Sequence, residues 1–319
     1  MQGLQNIGST CAVNSLIQII CRTSKLRNSI LLEELPENSL ASELKEILDL
    51  MYNKEKSLIP NKFVNSLYRN LEGIFIRGEQ IDIGELWTFL FDKIATEISI
   101  SYAPIITNIN LFDECNNVIY KFNNHKTSKW LETSQGILVN IINCKNCNKT
   151  VYNFEPFTSI SLDICNDNCP SIVDMLKYFL SHEERIADEW KCDGCNKCSN
   201  YSKTVKLWKA PDVLIFVIKR FTDSFNKDIR PINICKTLSF GEGSVLSINN
   251  EKNYNISGIG LHHGIIHGGH YTAICHIGDE VFIHYNDTDV NILNKDDKNK
   301  INILLEKNNS AYILAYEAV

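Results

Sequence analysis

A chain of 319 residues with 44% hydrophobic and 22% charged side chains has the proportions of a folded globular protein, with enough length for one large core or two modest ones. Its net charge of −6 and pI near 5.8 argue against nucleic acid as a partner and are compatible with a basic one. No apolar run reaches the roughly 18 residues of a membrane span, and Met1 stands too close to the first motif for a leader peptide, so no membrane association and a cytoplasmic or nuclear location are expected. In that setting the twelve cysteines read as thiols, metal ligands or a catalytic group rather than as disulfides.

The chain opens on Gly3-Leu4-Gln5-Asn6-Ile7-Gly8-Ser9-Thr10-Cys11, followed by Val13, Leu16, Ile17 and Ile20 at helical spacing. This pattern is a tight turn that delivers Cys11 to the first turn of a helix. There the unpaired N–H groups and the positive end of the helix dipole favour thiolate over thiol, which predicts a lowered pKa and a nucleophile. A buried structural cysteine is the competing reading of this stretch taken alone.

Helical spacing returns at Leu40, Leu44, Ile47, Leu48 and Met51, and again from Pro60 through Phe63, Val64, Leu67, Tyr68 and Leu71. A further helix is predicted over Asp82 to Ile98, with Gln80, Asp82 and Glu85 at or before its start, where carboxylates serve as ordinary caps. Past residue 100 the helical pattern fades into a polar stretch from Asn116 to Lys129, and Gly136 to Ile142 reads as a strand.

Directly after that strand comes Cys144-Lys145-Asn146-Cys147, matched by Cys192-Asp193-Gly194-Cys195. Two CxxC pairs supply four soft ligands for one structural, tetrahedral Zn2+, carried on the tips of two separate hairpins. Cys198 is an alternative partner for Cys195, and Cys165 and Cys169 lie between the pairs.

The segment Val213 to Ile218 is apolar on both faces and reads as a central buried strand. Later segments at Ile256–Leu261, Tyr271–Ile277, Val281–Tyr285 and Ala311–Tyr316 predict a largely antiparallel sheet, and Asn291 to Asn309 a surface insertion, partly helical. Within this half lies His262-His263-Gly264-Ile265-Ile266-His267-Gly268-Gly269-His270-Tyr271, whose histidines match no common metal-ligand spacing. The glycines leave a narrow approach to His270, and Tyr285-Asn286-Asp287 ends a strand able to present a polar group to its ring. Cysteine, histidine and asparagine in that order form a papain-like set of nucleophile, base and orienter.

These residues together resemble the ubiquitin-specific proteases, a papain-like class of deubiquitinating cysteine peptidase. The resemblance runs from Gly3 to Glu317: the cysteine stretch, Gln80-Ile81-Asp82-Ile83-Gly84-Glu85, the CxxC pairs, Ala210 to Phe221, the histidine stretch, Tyr285 to Val290, and Ala311 to Glu317. It implies an α+β fold, one catalytic domain over 1–319 shaped like a right hand, with a helical thumb at about 1–130, zinc-tipped β fingers at 137–206 and a β-rich palm at 207–319. It also implies Cys11 as nucleophile, His270 as base, Asn286 as orienter, Asp287 as an auxiliary polar group and Asn6 as oxyanion donor. Gln80, Asp82, Glu85, Gly268, Gly269 and Tyr271 would line the path of the ubiquitin tail. Ser9 stands where the family usually has Asn, Ala12 where it usually has an aromatic residue, and Ile81 where a second Gln is common. The implied activity is thiol-dependent hydrolysis after the C-terminal Gly of ubiquitin, by a monomer acting on ubiquitin and ubiquitinated proteins. An inert ubiquitin-binding scaffold and a protease for another ubiquitin-like modifier are the alternatives.

Overall fold

The structure, a computed structural model, describes residues 2–53, 58–103, 110–165, 168–185, 190–197, 200–221, 226–241, 252–265, 268–294 and 298–319. Cys198 and His267 lie outside the described residues.

The N-terminal third is helical: α1 (Cys11–Arg22), α2 (Ser24–Leu31), α3 (Leu40–Asn53), α4 (Asn61–Asn70) and α5 (Ile83–Ile98). Every residue of α1 from Cys11 to Cys21 is buried, polar ones included. The periodicity marks only one apolar face, so this helix is more enclosed than its pattern suggests. Its polar side chains have partners inside: Gln18 donates to the carbonyl of Gln2 at 2.8 Å, and Asn14 to that of Leu4 at 3.3 Å.

After β1 (Ile100–Ser101) the chain forms α6 (Leu111–Phe122), then β2 (Lys126–Thr127) and α7 (Lys129–Ser134). The fading of the helical pattern past residue 100 therefore hid two further helices, α6 and α7. The missed start signal is Asn110, whose side chain accepts from the N–H groups of Phe112 and Asp113. Cys115 of α6 is buried in a cluster with Ile137, Val139, Phe154 and Trp208 of the sheet that follows.

That sheet is built from β3 (Gly136–Cys144), β4 (Thr150–Phe157), then β6 (His182–Arg185) and β7 (Tyr201–Lys209), in the order β4-β3-β7-β6 and antiparallel throughout. Between its two hairpins, β5 (Ile160–Asp163) and α8 (Ile172–Phe179) leave it. β5 pairs in parallel with β8 (Val213–Lys219) of the palm, so part of the 137–206 span belongs to the palm rather than the fingers.

The palm sheet continues with β9 (Thr237–Phe240), β10 (Lys252–Ile265), β11 (Gly268–His276), β12 (Phe282–Asn286), β13 (Asp289–Leu293), α9 (Lys298–Leu305) beside it, and β14 (Ala311–Ala318). Its order is β13-β12-β11-β10-β14-β8-β5, with β9 also on β10. Side chains alternate across it: Val213 and Ile215 join the helical core, while Leu214, Phe216 and Ile218 join a second core with α8. Both faces are covered, which is why β8 is an unbroken apolar run. The expected surface insertion at 291–309 is in part structural, since Asn291 to Leu293 belong to β13, and Ile301 and Leu305 of α9 are buried in that second core.

Candidate active site

The turn before α1 is wound around one side chain. Asn6 Oδ1 accepts from the N–H of Gly8 at 3.2 Å, the N–H of Thr10 at 3.1 Å and the Thr10 hydroxyl at 3.3 Å. Ser9 lies in the left-handed region at φ 53°, where Asn is the better-tolerated residue, and it donates its hydroxyl to the carbonyl of Gly78 at 2.9 Å. No side chain caps α1, so its first N–H groups stay available at the cysteine.

Cys11 is nearly enclosed, 5% exposed. Burial pushes its thiol above the ordinary value; the N–H of Tyr271 and those at the helix start pull the other way, and the charge of Asp287 adds to the rise. The low-pKa thiolate expected from the helix start is therefore not the form this surrounding favours, because desolvation outweighs the helix end.

His270 comes from β11. Its Nε2 lies 2.7 Å from Asn286 Oδ1 and 4.0 Å from Asp287 Oδ2, so Asn286 is within hydrogen-bonding distance and Asp287 is not. With Nε2–H donating to Asn286, Nδ1 is the nitrogen left to take a proton. The thiol and the imidazole are not hydrogen-bonded to each other; the link between them is the backbone N–H of Tyr271, one residue beyond His270.

Asp287 sits in the β12–β13 turn at φ 50° and joins three chain segments. Its Oδ2 accepts from Asn6 Nδ2 at 3.1 Å, its Oδ1 from Asn14 Nδ2 at 2.7 Å, and its carbonyl from the N–H of Leu4 at 2.8 Å. Gly3 is required beside it: a Cβ there would lie 2.5 Å from the Asp287 carbonyl oxygen. Asn14 is a site residue the sequence reading does not single out; a polar residue one helical turn after the cysteine was the available signal.

The six residues expected along the tail divide sharply. Gln80 is exposed and spans the cleft to β11, donating Nε2–H to the carbonyl of Gly269 at 2.7 Å and accepting the Gly269 N–H at 2.8 Å. Asp82 is the N-cap of α5, accepting from Gly84 and Glu85, and its other oxygen takes the Tyr312 hydroxyl. Three donors already surround that carboxylate, whereas the Glu85 side chain is exposed. Tyr271 is 4% exposed, its ring packed against His262 and Tyr312. Gly268 is exposed, but Gly269 has a further reason to be glycine, since a Cβ there would lie 2.1 Å from His262 Nε2. His262 and His263 are in β10, paired with Tyr271 and His270 of β11, so the two described sides of the histidine stretch are antiparallel strands.

At the far end of the finger sheet the four expected cysteines meet. Their sulfurs all lie within 4.8 Å of one another, with Cys144 to Cys195 at 4.0 Å and Cys147 to Cys192 at 3.6 Å. Zn–S bonds of about 2.3 Å in a tetrahedron put sulfurs about 3.8 Å apart, so the donor set and its spacing fit such an ion. The two knuckles repeat one design. Asn148 and Asn196, each just after the second cysteine, take positive φ and donate N–H to the carbonyls of Cys144 and Cys192. The two turns lie between β3 and β4 and between β6 and β7, as expected for separate hairpins.

Among the described residues no helix is long and apolar enough to cross a membrane. The chain is 26% identical to ubiquitin carboxyl-terminal hydrolase 4 of Saccharomyces cerevisiae, over 99% of this chain and 39% of that protein. It is 24% identical to ubiquitin carboxyl-terminal hydrolase 2 of Homo sapiens, over 99% of this chain and 55% of that one. It thus spans from about two-fifths to just over half the length of these two relatives. Among solved structures, the SAGA DUB module containing Ubp8, bound to monoubiquitin, shares the fold with a TM-score of 0.75 at 22% identity, covering 100% of this chain and 69% of that one. The family model described as ubiquitin carboxyl-terminal hydrolase matches residues 2–316, and the chain belongs to that family.

Proposed function

We propose that this chain is a thiol-dependent deubiquitinase that hydrolyses the peptide or isopeptide bond after the C-terminal Gly of ubiquitin. The observation that carries the reading is the placement of the Cys11 thiol on the backbone N–H of Tyr271, next to a His270 whose Nε2 is held by Asn286 at 2.7 Å. Burial disfavours the charged thiolate in the free protein, and His270 Nδ1 takes the thiol proton as the scissile carbonyl enters. The sulfur then bonds to the carbonyl carbon. The oxyanion is received by the α1 N–H groups and by the second N–H of Asn6, whose first is used by Asp287. The imidazolium returns the proton to the departing lysine amine, and water, giving a proton to His270, hydrolyses the thioester to a carboxylate and restores the thiol.

Tail binding follows from the N–H and C=O of Gly269, which Gln80 holds in the free protein and which offer an extended Gly-Gly segment a short sheet edge to join. Gln80 occupies that edge in the free protein and exchanges with the incoming backbone. Glu85 is the exposed carboxylate suited to a basic tail, while Asp82 shapes the site by capping α5. We further infer one structural zinc, held by Cys144, Cys147, Cys192 and Cys195, tying the two finger hairpins together. The chain acts as a monomer on ubiquitin and ubiquitinated proteins in the cytoplasm or nucleus.

The test is reaction with ubiquitin bearing an electrophile in place of its terminal carboxylate. We expect a covalent adduct with the wild type and none with Cys11→Ala. Folded, zinc-loaded wild type that binds ubiquitin without forming an adduct would establish the inert-scaffold reading. Adduct with another ubiquitin-like modifier but not with ubiquitin would move the substrate assignment.

A further inference from the structure

Four groups of the proposed site come from three separate stretches of chain: Asn6 from the N-terminal segment, Cys11 from α1, and His270 with Asn286 from the sheet. The Asp287 carboxylate accepts from Asn6, carries its charge beside Cys11 and directly follows Asn286 in the chain, and the residue that ties it to the cysteine helix is Asn14. It lies one turn after Cys11, on the same side of α1, and is 3% exposed. Its amide donates to Asp287 Oδ1 at 2.7 Å and to the carbonyl of Leu4 at 3.3 Å. One side chain thereby fixes the helix, the N-terminal segment and the β12–β13 turn relative to one another.

The chemistry of that position is narrow. Two N–H donors on a short stem are needed, which Asp lacks, Ser and Thr cannot supply in number, and Gln carries on a longer stem. Its hydrogen bonds satisfy the two donors but not the acceptor of this side chain. Asn14 Oδ1 has no hydrogen-bond partner although it is buried, so the site retains a polar atom that an apolar side chain would not leave unpaired.

We propose that Asn14 is a positioning residue for the thiol-protease reaction, acting through Asp287: by holding the Asp287 carboxylate it keeps Asn6 aimed at the helix start and keeps the turn that presents Asn286 to His270 in register with Cys11. The inference rests on the thiol-protease reading, and it reaches the thiol through structure rather than by touching substrate. Without the Asn14 donors the Asp287 charge is less neutralised beside Cys11, so the thiol becomes harder to ionise even with no ubiquitin present.

Three variants test it: Asn14→Leu, Asn14→Asp, and Asn14→Asp combined with Asp287→Asn, which restores one donor–acceptor pair with its direction reversed. Each is measured for kcat and KM on a ubiquitin C-terminal amide reporter, for thermal midpoint, and for the pH dependence of Cys11 alkylation by iodoacetamide read at the Cys11 peptide. We expect Asn14→Leu to fold with a lowered thermal midpoint, to lose about tenfold or more in kcat with KM within about twofold, and to need a higher pH for alkylation. Asn14→Asp should lose more, and the paired variant should recover to within about fivefold of wild type. Folded Asn14→Leu with wild-type kcat and alkylation profile overturns the proposal, as does a folded paired variant no better than Asn14→Asp. The alkylation profile decides even if the wild type forms no ubiquitin adduct, so failure of the enzymatic reading is distinguished from failure of this one.

Discussion

Cysteines do two different jobs at opposite ends of this molecule, and their neighbours decide which. At the tip of the finger sheet four thiols crowd to within 4.8 Å, held by two turns of the same design. At the foot of the thumb a single thiol stands among polar groups from three chain segments, with a histidine and three asparagines fixed nearby. Soft ligands in a cluster need a metal to hold them together. A lone buried thiol needs a base and an oxyanion site. Sequence spacing alone gives CxxC its meaning, but a single cysteine acquires meaning only from residues some 260 positions away.

The largest effect that would break this contrast is expected from Cys11→Ala. Hydrolysis and adduct formation should fall by at least about a thousandfold, while metal content and thermal midpoint stay at the wild-type level; an active Cys11→Ala would end the distinction. Metal removal is the converse experiment. We expect about one zinc per chain, and chelation or Cys192→Ser should expose the 144–201 region to proteolysis at a cost of several kcal/mol of finger stability, leaving Cys11 alkylation nearly unchanged. A metal-free protein with intact fingers would refute the assignment.

Smaller changes sharpen the thumb side. Asn286→Ala should lower kcat about ten- to a hundredfold with little change in KM, since it frees the His270 ring without touching substrate; an equal loss in both parameters would point to tail binding instead. Acid stability reports on His262, which burial pulls down to about 4 from an ordinary value of 6.5. Between those two values the unfolded chain binds the proton and the folded one does not. Stability is therefore fully present above pH 6.5 and is lost on acidification toward pH 4, by at most about 3 kcal/mol. His262→Leu should flatten that limb in urea titrations at pH 4.5 and 7. The smallest effect belongs to Gln80→Ala, which vacates the Gly269 edge: KM should fall by up to about fivefold, since an exposed hydrogen-bonded pair is worth about 1 kcal/mol. A rise in KM would show that Gln80 binds the tail instead of yielding to it.

Much of the fold was legible because burial leaves periodic marks. The run Val213 to Ile218 announced a strand covered on both faces, and β8 lies between β14 and β5 with cores on either side. α6 was overlooked although Leu111, Cys115, Val118 and Ile119 recur at helical spacing and pack on the finger sheet, because only Cys115 is fully buried and the polar run after it hides the period; Asn110 caps its start. The glycines of the histidine stretch were legible as a need for space. What fills that space at Gly269 is His262 from the neighbouring strand, and cross-strand register cannot be read from one segment.

By itself, then, the sequence determined the chemical cast: a cysteine at a helix start, a histidine and an asparagine on strands, two CxxC pairs, and the alternation that builds a two-faced sheet. These are local properties, set by residue type and by periods of 3.6 and 2. Only the tertiary structure decided which residues share a carboxylate, that Asp82 is occupied while Glu85 is exposed, that Gln80 closes the edge beside Gly269, and that Cys11 is buried deeply enough for desolvation to outweigh the helix dipole. Those outcomes depend on distances between segments far apart in the chain, and hydrogen bonding and desolvation are set by distance and enclosure, not by order along the backbone.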